Sequence, residues 1–396
     1  MKITALKLIR LSGTMRFPGE FWEERLVRPV DLYPEHAAEG ATWLASAGPD
    51  SYRMESIFLR VETDADGLFG VGGPVSADIA YVLGTQLASQ VVGHDPLAVE
   101  RMWDRLYRLL IHGRKGGPMM ALSALDCALW DLKGKWANAP VYRLLGGPTR
   151  EAIPAYASAL GYSVEPARAA ERAAEVVRQG YRATKWFFRH GAWDGQRGVE
   201  ANTALVRALR EAVGPDVELM LDAWSSWDVP YALAMAERIR EYRPRWLEEP
   251  VLADRIESYA ELKRRLPFPV AGAEHEYTRW GLKLLLDARA CDVIQPDIYW
   301  AGGITEMQKI AALASCYDVQ LVPHGHSTPA TAHFLFSQPT NLCPLIEYLI
   351  KWNEIHQFFL AQPLKPVDGV VVPPDRPGMG MELDETKADQ IEELTF

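Results

Sequence analysis

Cysteine is scarce and scattered in this chain. The four thiols, Cys127, Cys291, Cys316 and Cys343, include no C-x-x-C pair, so no thiolate metal site or disulfide framework is suggested and buried, reduced thiols are expected. Long apolar runs are missing as well. Nothing approaches the roughly 20 consecutive apolar residues of a membrane-crossing helix. The opening residues, Met1-Lys-Ile-Thr-Ala-Leu-Lys-Leu-Ile-Arg10, interrupt their apolar positions with charge. That is the pattern of a strand and not of a signal peptide, so a soluble cytoplasmic protein is expected. Positive charge is the third shortage: 42 Lys and Arg face 52 Asp and Glu, a net −10. The balance argues against nucleic acid or a membrane surface as partner. A small anionic substrate stays open, because a metal ion and local Lys or Arg can set the field inside a pocket.

At 396 residues the chain is long enough for two domains, one of them a barrel. Residues 1–10 read as a strand. An irregular stretch from Ser12 to Asp50, rich in Pro, Gly and aromatics, reads as a lid or binding loop. Met54 to Glu62 alternates apolar and polar, Asp66-Gly67 supplies a hairpin turn, and Leu68 to Val71 returns. Helical periodicity follows, with a stripe at Ala98, Met102, Leu106 and Leu109–Leu110. A nearly all-apolar helix from Met119 to Trp136 carries Asp126 and Asp131. An α+β capping domain over residues 1–140 is expected.

From Ile153 strand-like and helical runs alternate strictly. Eight short apolar runs begin at Ile153, Ala183, Glu218, Arg245, Phe268, Val293, Gln320 and Leu345, short because helices cover both faces. Helix starts are marked by Asp228-Val-Pro230, by Asp254-x-x-Glu257 and by Thr328-Pro329, and Gly214 marks a stop. The expected architecture is α/β, a (β/α)8-type, TIM-like barrel over residues 141–362. The tail, 363–396, is expected to pack on the cap and complete it.

The chemistry-bearing residues fall at the ends of these runs. Asp222 ends Leu219-Met-Leu, Glu248 ends Arg245-Trp-Leu, and Glu274 follows Phe268-Pro-Val-Ala-Gly-Ala273; intervals of 26 residues separate them. Successive parallel strands would bring three carboxylates to one rim, and only a cation makes such crowding tolerable. Asp297 and His324 stand at the next two strand ends. A lone carboxylate after a strand is usually a helix cap, and a lone His is usually structural. Five ionisable groups on the C-terminal rim of one barrel are a site.

The segments Leu219-Met-Leu-Asp222, Trp246-Leu-Glu-Glu-Pro250, Gly272-Ala-Glu274, Gln295-Pro-Asp297 with Gly302-Gly303, and Pro323-His-Gly325 resemble the enolase superfamily, mandelate racemase-like subgroup. The helix around Ala121–Lys133 resembles that family's cap–barrel junction. The resemblance implies that Asp222, Glu248 and Glu274 bind Mg²⁺ and that Asp297 and His324 form a catalytic dyad. All-carboxylate ligation independently suits a hard cation such as Mg²⁺ over zinc. The family's reaction removes the proton α to a carboxylate. Glu347, at the end of the eighth strand, resembles the carboxylic acid that hydrogen-bonds the intermediate.

Strand two carries the reaction choice. Many relatives place Lys-x-Lys there, the second Lys serving as a base opposite the His. This chain has Lys185-Trp-Phe187, and Lys185 and Phe187 point the same way along a strand. With Phe in the second-base slot, β-elimination is favoured: His324 takes the α-proton and then protonates the departing hydroxyl. Lys185 is expected to pair with or polarise the substrate carboxylate. Within the family the acid-sugar dehydratases of the L-rhamnonate type are most similar, on Lys185 with His190-Gly191 and on Gly272-Ala-Glu-His275. Their cap supplies a His and an Arg to the substrate, and His36 and Arg53 hold comparable places. Trp186-Phe-Phe-Arg189, Ser225-Ser-Trp227 and His326 depart from that pattern and leave the particular sugar acid open. The expectation is an Mg²⁺-dependent dehydratase of L-rhamnonate or a related aldonate. The alternative is a racemase or epimerase of a 2-hydroxy acid with Lys185 as second base. The resemblance also implies a homo-oligomer.

Overall fold

The computed structural model describes residues 1–40 and 44–396; residues 41–43 of the stretch read as a lid lie outside the described residues. The cap is an antiparallel sheet of β1 (Ile3–Arg16), β2 (Ser46–Gly48), β3 (Ser51–Thr63) and β4 (Phe69–Val75). β1 and β3 are longer than the local pattern predicts. They pair with each other from Ile3 opposite Thr63 to Arg16 opposite Ser51, and a partner ladder carries a strand through residues whose own sequence is indifferent. The nearly all-apolar helix Gly117–Trp136 lies against β4. Glycine at position 70 permits this approach: a Cβ there would come within 2.1 Å of the Ala128 carbonyl oxygen.

The two aspartates in that helix tie the layers together. Asp131 accepts the Val71 amide at 2.9 Å and the Met379 amide at 2.7 Å. Asp126 accepts the Thr305 amide at 2.9 Å, reaching into the barrel helix Gly303–Ser315. Buried carboxylates in an apolar helix are tolerable because backbone donors meet them.

The barrel strands are β5 (Ile153–Ser158), β6 (Ala183–Phe187), β7 (Glu218–Asp222), β8 (Trp246–Glu248), β9 (Val270–Gly272), β10 (Val293–Ile294), β11 (Gln320–Leu321) and β12 (Ile346–Leu349). All pair in parallel in the order β11-β10-β9-β8-β7-β6-β5-β12, a curled sheet whose ladder ends at β11 and β12. Inward side chains alternate with outward ones. Tyr156, Ala183, Met220, Trp246, Ala271, Val293, Val322 and Leu345 plug the interior. Two residues further along β6, β7, β8 and β12 the inward positions become Lys185, Asp222, Glu248 and Glu347, all buried. The polar layer is stacked directly on the apolar one.

The tail returns as β13 (Val370–Val371), antiparallel to β5, and β14 (Gln390–Leu394), antiparallel to β1. Of the expected helix starts, Asp228 caps as read, accepting the Tyr231 amide at 2.8 Å, and Gly214 ends its helix at φ +76°. Asp254 caps nothing: that helix begins at Ile256, with Arg255 at its cap position. Thr328 sits one residue inside its helix and donates its hydroxyl to Asn353 at 2.6 Å. Cys127, Cys291 and Cys343 are buried, and Cys316 is exposed, against expectation. Among the described residues, no helix is long and apolar enough to cross a membrane.

Candidate active site

A cavity of about 430 Å³ lies over the C-terminal rim. Its floor includes Lys185, Phe187, Asp222, Glu274 and His324. Trp22, Arg25, Leu26, Arg28, Glu39 and Gly40 of the N-terminal loop form its roof, while Leu160, Trp224, Trp300, Leu349 and Trp352 complete the wall.

Six carboxylates are buried at the floor: Asp222, Glu248, Glu249, Glu274, Asp297 and Glu347. One lysine meets three of them. Lys185 Nζ lies 3.0 Å from Asp222 Oδ2 and 2.9 Å from Glu347 Oε1, and it donates to Glu248 Oε1. Burial works against the lysine's charge, but Glu248, Glu347 and Asp222 outweigh it and hold its pKa well above the ordinary value. The remaining oxygen of Glu248 accepts Gln295 Nε2 at 2.8 Å and Trp246 Nε1 at 2.9 Å. Burial pushes Asp222 up to about 6, Glu274 to about 7 and Glu248 to about 8.

Of the three carboxylates expected to hold a cation, Asp222 and Glu248 therefore gather about Lys185, while Glu274 gathers elsewhere. Among the described residues, the group whose candidate ligand atoms all fall within 4.8 Å of one another is Glu249, Glu274 and His275. His275 Nδ1 meets Glu249 Oε2 at 2.8 Å, and its Nε2 is 3.9 Å from Glu274 Oε1. Glu249 and His275 each follow directly on a residue the spacing argument selected. Strand alternation assigns such neighbours to the opposite face. Glu249 escapes that rule because its backbone turns to φ +40° past the strand end. The buried carboxylates of the floor, Asp222, Glu248, Glu249 and Glu274, fit a hard divalent cation: they are oxygen donors in excess over Lys185, and Glu249 Oε1 is buried without a hydrogen-bond partner.

Asp297 and His324 are brought together. Asp297 Oδ1 accepts the Tyr299 amide at 2.7 Å, and Oδ2 lies 2.8 Å from His324 Nδ1. The Asp is held by backbone and the ring by the Asp, which leaves His324 Nε2 on the cavity side, 3.5 Å from Glu274 Oε1. Trp300 packs against the ring at 4.9 Å. Burial opposes a charge on His324, yet Glu274 and the Asp297 hydrogen bond raise it to about 10.

Glu347 lies in the floor beside Lys185. Its Oε2 accepts the Gly325 amide at 2.9 Å, and its pKa is lowered: burial opposes this, but Lys185 and His324 prevail. His36 and Arg53 do not line the cavity. β3 extends through Arg53 and leaves it exposed opposite Thr14. The His36 ring turns to Glu39 Oε1 at 2.7 Å, so the polar roof residues are Arg25, Arg28 and Glu39. No periodic signal marks them, because an irregular loop takes its direction from what it docks on.

That docking is specific. The Glu23 amide donates to the Gly161 carbonyl and the Val27 amide to the Phe188 carbonyl, both at 2.8 Å. Lys351, buried at 2% exposure, donates to Glu23 at 2.9 Å and to the Gly161 carbonyl at 2.8 Å.

Comparison with known proteins places this geometry in context. The "Enolase C-terminal domain-like" family pattern matches residues 168–387, and the "Mandelate racemase / muconate lactonizing enzyme, N-terminal domain" pattern matches residues 50–146. An L-rhamnonate dehydratase of Saccharopolyspora erythraea is 36% identical over 373 residues, covering 91% of this chain and 90% of the relative. A D-galactarolactone cycloisomerase of Agrobacterium fabrum is 35% identical over 348 residues, covering 84% and 89%. Among solved structures, a rhamnonate dehydratase from Gibberella zeae complexed with Mg superposes with a TM-score of 0.82 at 29% identity, covering 98% of this chain and 95% of that one.

Proposed function

The chain belongs to the mandelate racemase/muconate lactonizing branch of the enolase superfamily, and from that premise we propose that it is an Mg²⁺-dependent sugar-acid dehydratase, a hydro-lyase acting on L-rhamnonate or a related aldonate. The observation that carries this reading is a single competent base. His324 is oriented by Asp297 at 2.8 Å, while Lys185 is locked among three carboxylates beneath the Phe187 ring, its Nζ 5.2 Å from the ring centre. A two-base racemase needs a free amine on the opposite face of the α-carbon, and the residue that corresponds to that base by the family resemblance is Phe187, which has none.

Asp222, Glu248 and Glu274 would hold Mg²⁺, with Glu249 and His275 adjoining. When bound, the cation offsets the charge that develops on the substrate's carboxylate oxygens as the α-proton leaves. Glu274, with its charge taken up by the cation, would no longer hold a proton on His324, so that Nε2 accepts the α-proton and Asp297 stabilises the imidazolium. The imidazolium then returns the proton to the β-hydroxyl, the C–O bond breaks and water departs. The resulting enol tautomerises to a 2-keto-3-deoxy acid. Lys185, held by Glu347, lends its positive charge to the substrate carboxylate. The apolar residues of the roof and wall, Trp22, Leu26, Leu160 and Trp300 among them, screen the reacting carbons from bulk water.

An acid-sugar panel incubated with Mg²⁺ tests the reading. The expected result is a 2-keto-3-deoxy product from at least one aldonate. Parallel runs in D₂O separate the alternative: inverted, α-deuterated substrate recovered without loss of water would overturn dehydration and favour epimerisation.

A further inference from the structure

An aldonate carries one carboxylate and the matching aldarate two, and the charge arrangement in the roof shows which residue would tell them apart. Among the described residues, the lysine and arginine side chains lining the cavity are Lys185 in the floor and Arg25 and Arg28 in the roof. Lys185, held by its three carboxylates, marks the end of the cavity at which the α-proton is removed in that reading. A second carboxylate at the far end of the substrate would need Arg25 or Arg28.

Neither has charge to spare. All five guanidinium N–H groups of Arg25 are taken. Nε donates to the Glu39 carbonyl at 2.9 Å, Nη1 to the Leu26 carbonyl and to Asp31 at 2.6 Å, and Nη2 to the carbonyls of His36 and Ala37. Arg25 is a staple for the loop. Arg28 gives Nε and Nη2 to Asp31 Oδ1 and Nη2 to Glu39 Oε2 at 2.8 Å. Among the described residues only its Nη1 has no hydrogen-bond partner. Glu39 in turn receives His36 Nδ1 on its other oxygen at 2.7 Å. The two roof cations are thus matched by two carboxylates, Asp31, which Arg189 also approaches at 3.8 Å, and Glu39; among the described residues the rest of the roof and upper wall includes the apolar Trp22, Leu26, Leu160, Leu349 and Trp352.

We infer that Glu39, by neutralising Arg28, is the residue that makes the cavity select an acid with an uncharged far end over one with a second carboxylate. Glu39 offers acceptor oxygens and Arg28 Nη1 offers donors, side by side, which is complementary to neighbouring hydroxyls of a polyol chain. An apolar surround suits a terminal methyl or hydroxymethyl carbon. A terminal carboxylate would meet the Glu39 charge at close range, and this repulsion is the discriminating element. Glu39 is a specificity-determining residue in this account, and the account rests on the sugar-acid reading.

The test compares kcat/KM of the Mg²⁺-loaded enzyme for an aldonate and for the aldarate of the same chain length. Wild type is expected to prefer the aldonate by about a hundredfold or more. Glu39→Gln, which keeps shape and removes the charge, is expected to move that ratio toward the aldarate by about tenfold. Adding Arg28→Gln should abolish the gain, since the freed guanidinium is what receives the second carboxylate. Equal use of both acids by wild type, or an unchanged ratio in Glu39→Gln, overturns the inference. If wild type dehydrates neither acid, the dehydratase reading falls separately. Calorimetric titration of both acids into wild type and Glu39→Gln then decides the selection: tighter monoacid binding that the variant loses supports it, and equal binding overturns it.

Discussion

Lys185 Nζ stands 2.9 Å from Glu347 Oε1, so β6 and β12, the strands on either side of β5, meet across it over the barrel floor. The same ammonium reaches Asp222 at 3.0 Å and Glu248. One cation therefore balances carboxylates from three strands. Removing it leaves buried charge uncompensated. Lys185→Met is expected to cost about 3–5 kcal/mol in urea unfolding without divalent ions, and Mg²⁺ should restore part of the loss. Unchanged stability would show that the carboxylates are protonated or hydrated and do not depend on the lysine.

His324→Asn keeps a side chain of similar reach beside Asp297 but cannot carry a proton from the α-carbon to the β-hydroxyl. Its kcat should fall about 10²- to 10⁴-fold, the usual worth of a general base, with binding of substrate and Mg²⁺ retained in calorimetry. Dehydration at an undiminished rate would remove His324 from the mechanism.

Gly161 has φ +84°, and a Cβ there would come within 2.7–2.9 Å of the Trp22 indole. Gly161→Ala should push Trp22 out of the roof and loosen the loop that Lys351 and Glu23 hold down. The expected signature is a KM raised about tenfold with a smaller change in kcat, because positioning suffers while the dyad stays intact. Steady-state kinetics on the accepted acid reads it directly, and an unaltered KM would separate Trp22 from substrate binding.

His333 is fully buried in the helix Thr328–Leu335, its ring stacked on Tyr142 and its Nδ1 accepting the Tyr142 amide at 3.3 Å. Burial pushes its pKa down to about 4. Between that value and the ordinary 6.5 the unfolded chain binds a proton that the folded one refuses, so stability falls as pH drops through this window. The loss should reach about 3 kcal/mol by pH 4. His333→Leu should flatten this part of the profile, as read from urea midpoints at pH 4.5 and pH 7. A variant with the wild-type slope would place the proton uptake elsewhere.

Much of the site is legible in the chain because parallel strands turn spacing into position. Asp222, Glu248, Glu274, Asp297 and His324 recur at strand ends, and successive parallel strands in a closed or nearly closed sheet must end on the same rim. Lys185 and Phe187 share a face for an equally local reason, the two-residue period of a strand. These statements need no knowledge of what lies across the barrel.

His36 and Arg53 were chosen by their place along the chain, and the fold turned both away, one toward Glu39 and the other along β3. Glu249 enters the floor through a positive φ that its neighbours in the sequence do not announce. The division follows from the range of the forces involved. Periodicity and burial are encoded within a few residues, so the amino-acid order alone settles the eight barrel strands, the rim and its ionisable residues. Charge balance is settled between residues far apart in the chain: Lys185 with Glu347, Arg28 with Glu39 across a folded loop, and Lys351 with Glu23. Which carboxylate keeps its charge, which arginine is spent, and what the roof admits are decided only when the tertiary fold brings those partners within hydrogen-bonding distance.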